Sequence, residues 1–238
     1  MTNALTSLSQ HPLFSVGATL LAFQLALWLY RRSQWIVLQP VLVGTLLTML
    51  LLRLLHVDYA TYHRQSASLW LLLGPATVAL AVPLYHGLPR IRSLLMPTLV
   101  TLGTGTVMML GLTVVLARLF GADITLTLSL APKSVTSPVA ILLAAQTGGI
   151  ASLTATFVMI TGVLGAIVGP GLLNYTGVTL PAARGLILGV SAHAVGTVQA
   201  LKEDAEAGAF AALGMSLAGV LTALLYGLWG YLNLPVTG

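Results

Sequence analysis

Runs of apolar residues, each closed by a charge, set the pattern of this chain. No Lys, Arg, Asp or Glu occurs in 1–30, in 33–52 between Arg32 and Arg53, or in 65–89 between Arg64 and Arg90. Further uncharged runs cover 93–117, 134–183, 185–201 and 207–238. A helix that crosses a bilayer needs about 20 such residues, so each run predicts one span, and 134–183 predicts the rest of one span and a second after a break near TGG at 147–149. The helices expected are 12–30, 34–54, 66–85, 93–117, 125–146, 150–173, 182–201 and 208–231. The fold class is therefore an all-α integral membrane protein with about eight hydrophobic helical segments. Prolines and glycines make two of them, 66–85 and 125–146, candidates for discontinuity. The connections are short, so 1–238 is read as a single transmembrane domain.

Composition agrees with the pattern. The 238 residues are 57% hydrophobic and 6% charged, with a mean hydropathy of +0.97, whereas a soluble domain carries about 25% charged residues. Lys and Arg number 10 against 5 acids. They are scattered rather than patched, which gives nucleic-acid binding no support and points to the lipid bilayer as the partner surface. Cysteine is absent, which excludes disulfides, thiol chemistry and Cys-based zinc sites. The first apolar stretch has no basic residue before it and ends at Arg31-Arg32. Positive-inside bias then places this pair in the cytoplasm and the N-terminus outside. Later arginines fall on both sides and leave the orientation open.

Two segments resemble one another. GPATVALAVPLY (74–85) and APKSVTSPVAIL (131–142) each carry a small residue, a proline, a hydroxyl two residues on, a valine and a second proline. Paired proline-interrupted segments point to the binding site of a transporter built from repeats, parallel or inverted.

Lys133, in SLAPKSVTSPVA, is the outstanding chemical feature. Pro132 and Pro138 cannot donate backbone hydrogen bonds, which frees the carbonyls of Leu128 and Ser134 and calls for a hydrated interior. Two readings stand. In one, Pro132 starts a helix and the lysine reaches the headgroups. In the other, a small carboxylate is held by the ammonium and a helix start, with Ser134, Thr136 and Ser137 as hydroxyl donors. The second removes the conflict between a cation and the positive end of the helix dipole. Thr77 holds the position matching Ser134 and is a candidate for the same cavity. His193 follows Gly185 and Gly189 at four-residue intervals, with Thr197 a turn beyond, on one expected helix face. It is either a structural histidine bonded to a neighbouring helix or a substrate ligand and proton carrier. Arg184 reads as interfacial, Asp123 as a loop residue, and Lys202, Glu203, Asp204 and Glu206 as a solvated loop. GVLGAIVGPG (162–171) reads as helix packing and also offers a GxxxG-type face for self-association. No HExxH, phosphate-binding loop or pair of buried acids is present, so neither an enzyme nor a bound metal or cofactor is expected.

The segments LSLAPKSVTSPVA, GGIASLTATFVMITGVLGAIVGPGLL and ARGLILGVSAHAVGTVQALKEDAEAGAFAALGMSLAGVLTALL resemble the LrgB (CidB) family of bacterial membrane proteins, and LLLGPATVALAVPLY fits its first half. The likeness covers roughly 66–230. Ser137 stands in SVTSP where SVTTP is usual, which keeps the hydroxyl. The resemblance implies a multi-pass protein of the bacterial inner membrane, acting beside a partner of the LrgA/CidA type and forming a homodimer or higher oligomer. Its functional implication is double. The family is described as holin- or antiholin-like, regulating murein hydrolase export and autolysis. It is also similar to half of the plastid glycolate/glycerate transporter, and bacterial pairs have been linked to pyruvate uptake. Transport of small 2-oxo or 2-hydroxy monocarboxylates (glycolate, glycerate, pyruvate, lactate) is the reading that gives Lys133 a task.

Overall fold

The computed structural model describes residues 11, 13–33, 35, 38–79 and 81–231, and among these every regular element is a helix. The chain divides into two compact units, 1–79 and 80–238.

In the first unit, α1 (Phe14–Ser33) buries Ala18, Ala22 and Ala26 on one face. Small side chains at four-residue spacing let α2 (Pro40–Leu54) approach closely, so that Gly44 packs against Phe23 and Ala26. After α2 the direction changes by 119° into α3 (Tyr59–Gln65), whose first turn is capped by Asp58 accepting from the Thr61 N–H at 3.2 Å. Ser15 donates to Gln65 at 2.6 Å, and Thr19 bonds to the Tyr62 hydroxyl at 3.0 Å, tying α3 to α1. The helix α4 (Ala67–Ala79) runs through Pro75 without a break. The discontinuity expected inside 66–85 is therefore not at that proline, and residue 80 lies outside the described residues.

The second unit opens with the short helices α5 (Ala81–His86) and α6 (Leu88–Ser93), followed by α7 (Leu95–Leu119). Next come α8 (Ile124–Leu130) and α9 (Ser137–Thr147), separated by turns. The expected break of 125–146 is found, and it falls on APKSVT. The two pieces do not continue in one direction. The Ile150 N–H donates to Ser129 Oγ at 2.8 Å, and Gly149 lies against the Ser129 backbone. The chain thus passes Ser129, turns at 131–136, and is returned by α9 to the level it left. Gly148 ends α9 at φ 94°, a left-handed cap that glycine adopts without a Cβ clash.

Then α10 (Ala151–Tyr175) runs 25 residues, about 37 Å at 1.5 Å per residue. Its successor, α11 (Pro181–Glu203), folds back on itself. Ala192 (φ −127°, ψ 16°) and His193 (φ 42°, ψ −130°) leave helical geometry. Arg184 and Glu203, which a straight helix would hold about 28 Å apart, form an ion pair of 2.9 Å. Gly196 of the second arm packs on the Leu188 carbonyl of the first. The last helix, α12 (Ala205–Tyr231), packs against the first arm so tightly that Gly185 and Gly189 touch the main chain at Ala207 and Ala211.

Eight spans are not confirmed. Among the described residues, α1, α7, α10 and α12 are long and apolar enough to cross a membrane, and the bent pair α2–α3 makes five if it counts as one span. Two of the expected spans, 125–146 and 182–201, are hairpins whose helical arms reach about 10–16 Å, no more than about half of a hydrocarbon core of about 30 Å. The second unit is thus a succession of long helix, hairpin, long helix, hairpin, long helix. Because α10 separates the bases of the hairpins, they enter from opposite ends.

Candidate functional site

The two hairpin tips meet on α10. Val135, in the first tip, is packed with Ala140 and with Val158 of α10. From the second tip, His193 reaches the Val158 carbonyl with Nε2 at 3.0 Å. A carbonyl only accepts, so this contact assigns the proton to Nε2. Gly162 makes the approach possible, since a Cβ there would stand 2.5 Å from His193 Cε1. One and two turns further along that face, Gly165 meets Ala192 and Gly169 meets Leu188. The glycine face at 162–169, expected as helix packing or as a surface for self-association, is covered by the second hairpin of the same chain.

At the first tip Lys133 is partly buried and lines an open groove of about 540 Å³, shared with Met109, Thr113 and Ala117 of α7 and Leu126 and Leu130 of α8. Its ammonium donates to Ser134 Oγ at a long 3.4 Å, and among the described residues it has no carboxylate partner. A partly buried cation with one weak neutral contact retains most of its capacity to hold an anion. Thr136 is the N-cap residue of α9, but its hydroxyl caps nothing. With Pro138 lacking an N–H, the first turn of that helix keeps donors at Ser137 and Val139 for other partners.

The same tip closes a second, smaller space. Ser134 and Val135 join Thr106 of α7, Val190 of α11 and Thr222 of α12 around a cavity of about 10 Å³, measured as room for the centre of a water molecule. Thr106 is 5% exposed, and its Oγ1 has no hydrogen-bond partner among the described residues. Neither Thr106 nor Thr222 stands out by residue type or spacing. Threonines recur along α7, and Thr104 and Thr113 bond to carbonyls of their own helix at Val100 and Met109. Only the contacts of the fold separate Thr106 from them.

The expected site residues therefore fall into groups. Lys133, Ser134, Thr136 and Ser137 share the first tip. His193 and Thr197 share the second, but not one helix face with Gly185 and Gly189, because the chain reverses at Ala192–His193. The Thr197 hydroxyl donates to the His193 carbonyl at 2.8 Å, which stabilises the turn rather than opening onto the cavity. The side chain of Thr77 lies outside the described residues. Arg184, expected at an interface, bonds Glu203 through Nε and Nη2, and Asn174 and the Val178 carbonyl through Nη1. It thereby clamps the base of the second hairpin to the end of α10. Nor is 202–206 merely a solvated loop: Glu206 pairs with Arg90 at 2.9 Å, and Asp204 caps α12 by accepting from the Glu206 N–H. Asp123 does precede its helix, capping α8 through the Leu126 N–H at 2.7 Å.

Comparison with known proteins gives a consistent picture. The family model described as the LrgB-like family matches residues 19–230. Among curated relatives, Uncharacterized protein YxaC of Bacillus subtilis (strain 168) is 38% identical over 203 residues, 85% of this chain and 88% of the relative. Holin-like protein CidB of Staphylococcus epidermidis is 32% identical over 188 residues, 79% of this chain and 82% of the relative. The proteins of that name in Staphylococcus aureus are 30% identical over the same length. No solved structure matches.

Proposed function

The chain belongs to the LrgB-like family, and from that premise we propose that it carries small monocarboxylates across a bacterial inner membrane. One observation carries the reading: two hairpins from opposite ends meet beside a partly buried lysine that, among the described residues, no carboxylate neutralises. Half-membrane hairpins leave helix ends and turn backbone inside the protein, and such irregular backbone is tolerated at membrane depth only where it is buried or lines a cavity. Transporters use broken helices of this kind to hold charged substrates. A singly charged acid of the glycolate, glycerate, pyruvate or lactate class suits one ammonium with hydroxyls around it. Ser134, Thr136 and Ser137 are its proposed donors. His193 and Thr197 shape the opposing tip. A partner of the LrgA/CidA type and a homo-oligomeric assembly belong to this reading as further expectations.

The name of the staphylococcal relatives favours a second reading, a holin-like or antiholin-like regulator of murein hydrolase export and autolysis. That reading requires self-association into lesions, or control of them, and gives Lys133 no task.

Purified protein in proteoliposomes, alone and with an LrgA/CidA-type partner, decides between them. Labelled glycolate, lactate and pyruvate are expected to enter saturably. Lys133→Ala is expected to reduce uptake at least about tenfold, the worth of one charge-assisted contact. No uptake of any acid, with or without the partner, removes the carrier reading. Normal uptake by Lys133→Ala keeps it and removes the site.

A further inference from the structure

We propose that the cavity between Thr106, Ser134 and Thr222 is a subsite for one uncharged oxygen of the transported acid, and that it selects carboxylates bearing a hydroxyl or oxo group beside the carboxyl. This rests on the carrier reading and deepens it. Three hydroxyl-bearing residues from three separate elements, α7, the first hairpin tip and α12, line a space of about 10 Å³ beside apolar neighbours such as Met109 and Leu110, room for about one water-sized group. A carboxylate, with two oxygens and a charge to solvate, does not fit there; the open groove of about 540 Å³, apolar except at Lys133 and Thr113, has the room for it beside the ammonium.

Ser134 joins the two sites. Its Oγ takes the Lys133 hydrogen bond at 3.4 Å, and the same residue lines the hydroxyl cavity. On this proposal an acid bound at the ammonium reaches past Ser134 and presents the oxygen on its first carbon beyond the carboxyl to the cavity. The orphaned Thr106 Oγ1 supplies the second argument. A buried hydroxyl without a partner is destabilising, and a residue with no role in the fold would do better as valine. An incoming hydroxyl or oxo oxygen provides the missing partner, and an acid lacking that oxygen leaves the group unpaired. This asymmetry gives sites of this kind their discrimination.

The test compares matched pairs, glycolate with acetate and lactate with propionate, as unlabelled competitors of labelled glycolate uptake in proteoliposomes. Wild-type protein is expected to prefer the oxygenated member of each pair by about three- to tenfold, the range of a neutral hydrogen bond. Thr106→Val and Thr222→Val should each narrow this preference, and Thr106→Ser, which keeps the hydroxyl, should retain it. Thr106→Val should also unfold at the wild-type temperature or higher, because it deletes an unsatisfied group, whereas loss of a structural hydrogen bond would lower it. Equal competition by both members of each pair, or an unchanged preference in both valine variants, overturns the subsite while the carrier stands. Absence of uptake of every acid overturns the carrier and the subsite together.

Discussion

His193 occupies a backbone region, φ 42° and ψ −130°, that glycine adopts freely and other residues enter at a cost of about 1–3 kcal/mol. What the chain obtains there is the imidazole bond to Val158, made against the space that Gly162 leaves open. Strain and bond can be separated by substitution. His193→Ala and His193→Gly both lose the imidazole and leave the same gap, but only glycine relieves the backbone. His193→Gly is therefore expected to be the more stable of the two by about 1–2 kcal/mol, measured by unfolding in detergent. If alanine is equal or better, the turn does not hold this conformation in solution. At this scale the sequence was informative wherever residue chemistry is unusual. A lysine between two prolines in an apolar chain marks Lys133 and Ser134 without a structure. It is silent about Thr106, whose difference from Thr104 and Thr113 is a missing bond rather than a residue type.

Among the elements, the hairpin at 181–203 makes the sharpest claim, because a straight helix of that length is what its apolar run predicts. The fold gives both ends to one face of the membrane. The chain contains no cysteine, so single substitutions report position without a modified background. Thr179→Cys and Lys202→Cys are expected to react with a membrane-impermeant maleimide from the same side, and Phe120→Cys, before the first hairpin, from the other. Labelling of positions 179 and 202 from opposite sides would restore the straight span and remove the meeting of the tips. Charge spacing located the extents of these elements well: 93–117 was expected against Leu95–Leu119, and 150–173 against Ala151–Tyr175. Direction was another matter. Where prolines interrupt the run, at 131–138, a break was legible. At Ala192–His193 there is neither proline nor glycine, and a run of apolar residues closed by charges reads the same whether it continues or turns back. The hairpin is fixed by pairing of its arms, Arg184 with Glu203 and Leu188 with Gly196, and such contacts leave no periodic trace.

For the molecule as a membrane device, the decisive question is whether it forms a gated path for one class of small anion or a lesion. In the second unit the glycine face expected to serve self-association is already occupied: Gly162, Gly165 and Gly169 of α10 meet the second hairpin, and Gly185 and Gly189 meet α12, whereas Gly103 and Gly111 of α7 and Gly219 and Gly227 of α12 face open space. A lesion large enough for proteins would have to assemble through those open faces, or would need the occupied contacts to open. A carrier needs only that the two tips, each anchored at Val158, expose the Lys133 groove to one side at a time. Vesicles loaded with a self-quenched dye several times larger than lactate separate the two. Under the carrier reading they take up labelled lactate while holding the dye as well as protein-free vesicles do, and uptake per protein is independent of protein density. Under the lesion reading dye escapes, at a rate rising more steeply than protein density because several copies must assemble. Lys133→Ala sharpens the result, since it should stop lactate entry under the first reading and leave dye release unchanged under the second. A lysine held half inside the protein with no counter-charge among the described residues is costly to maintain, and only the first outcome gives it a partner.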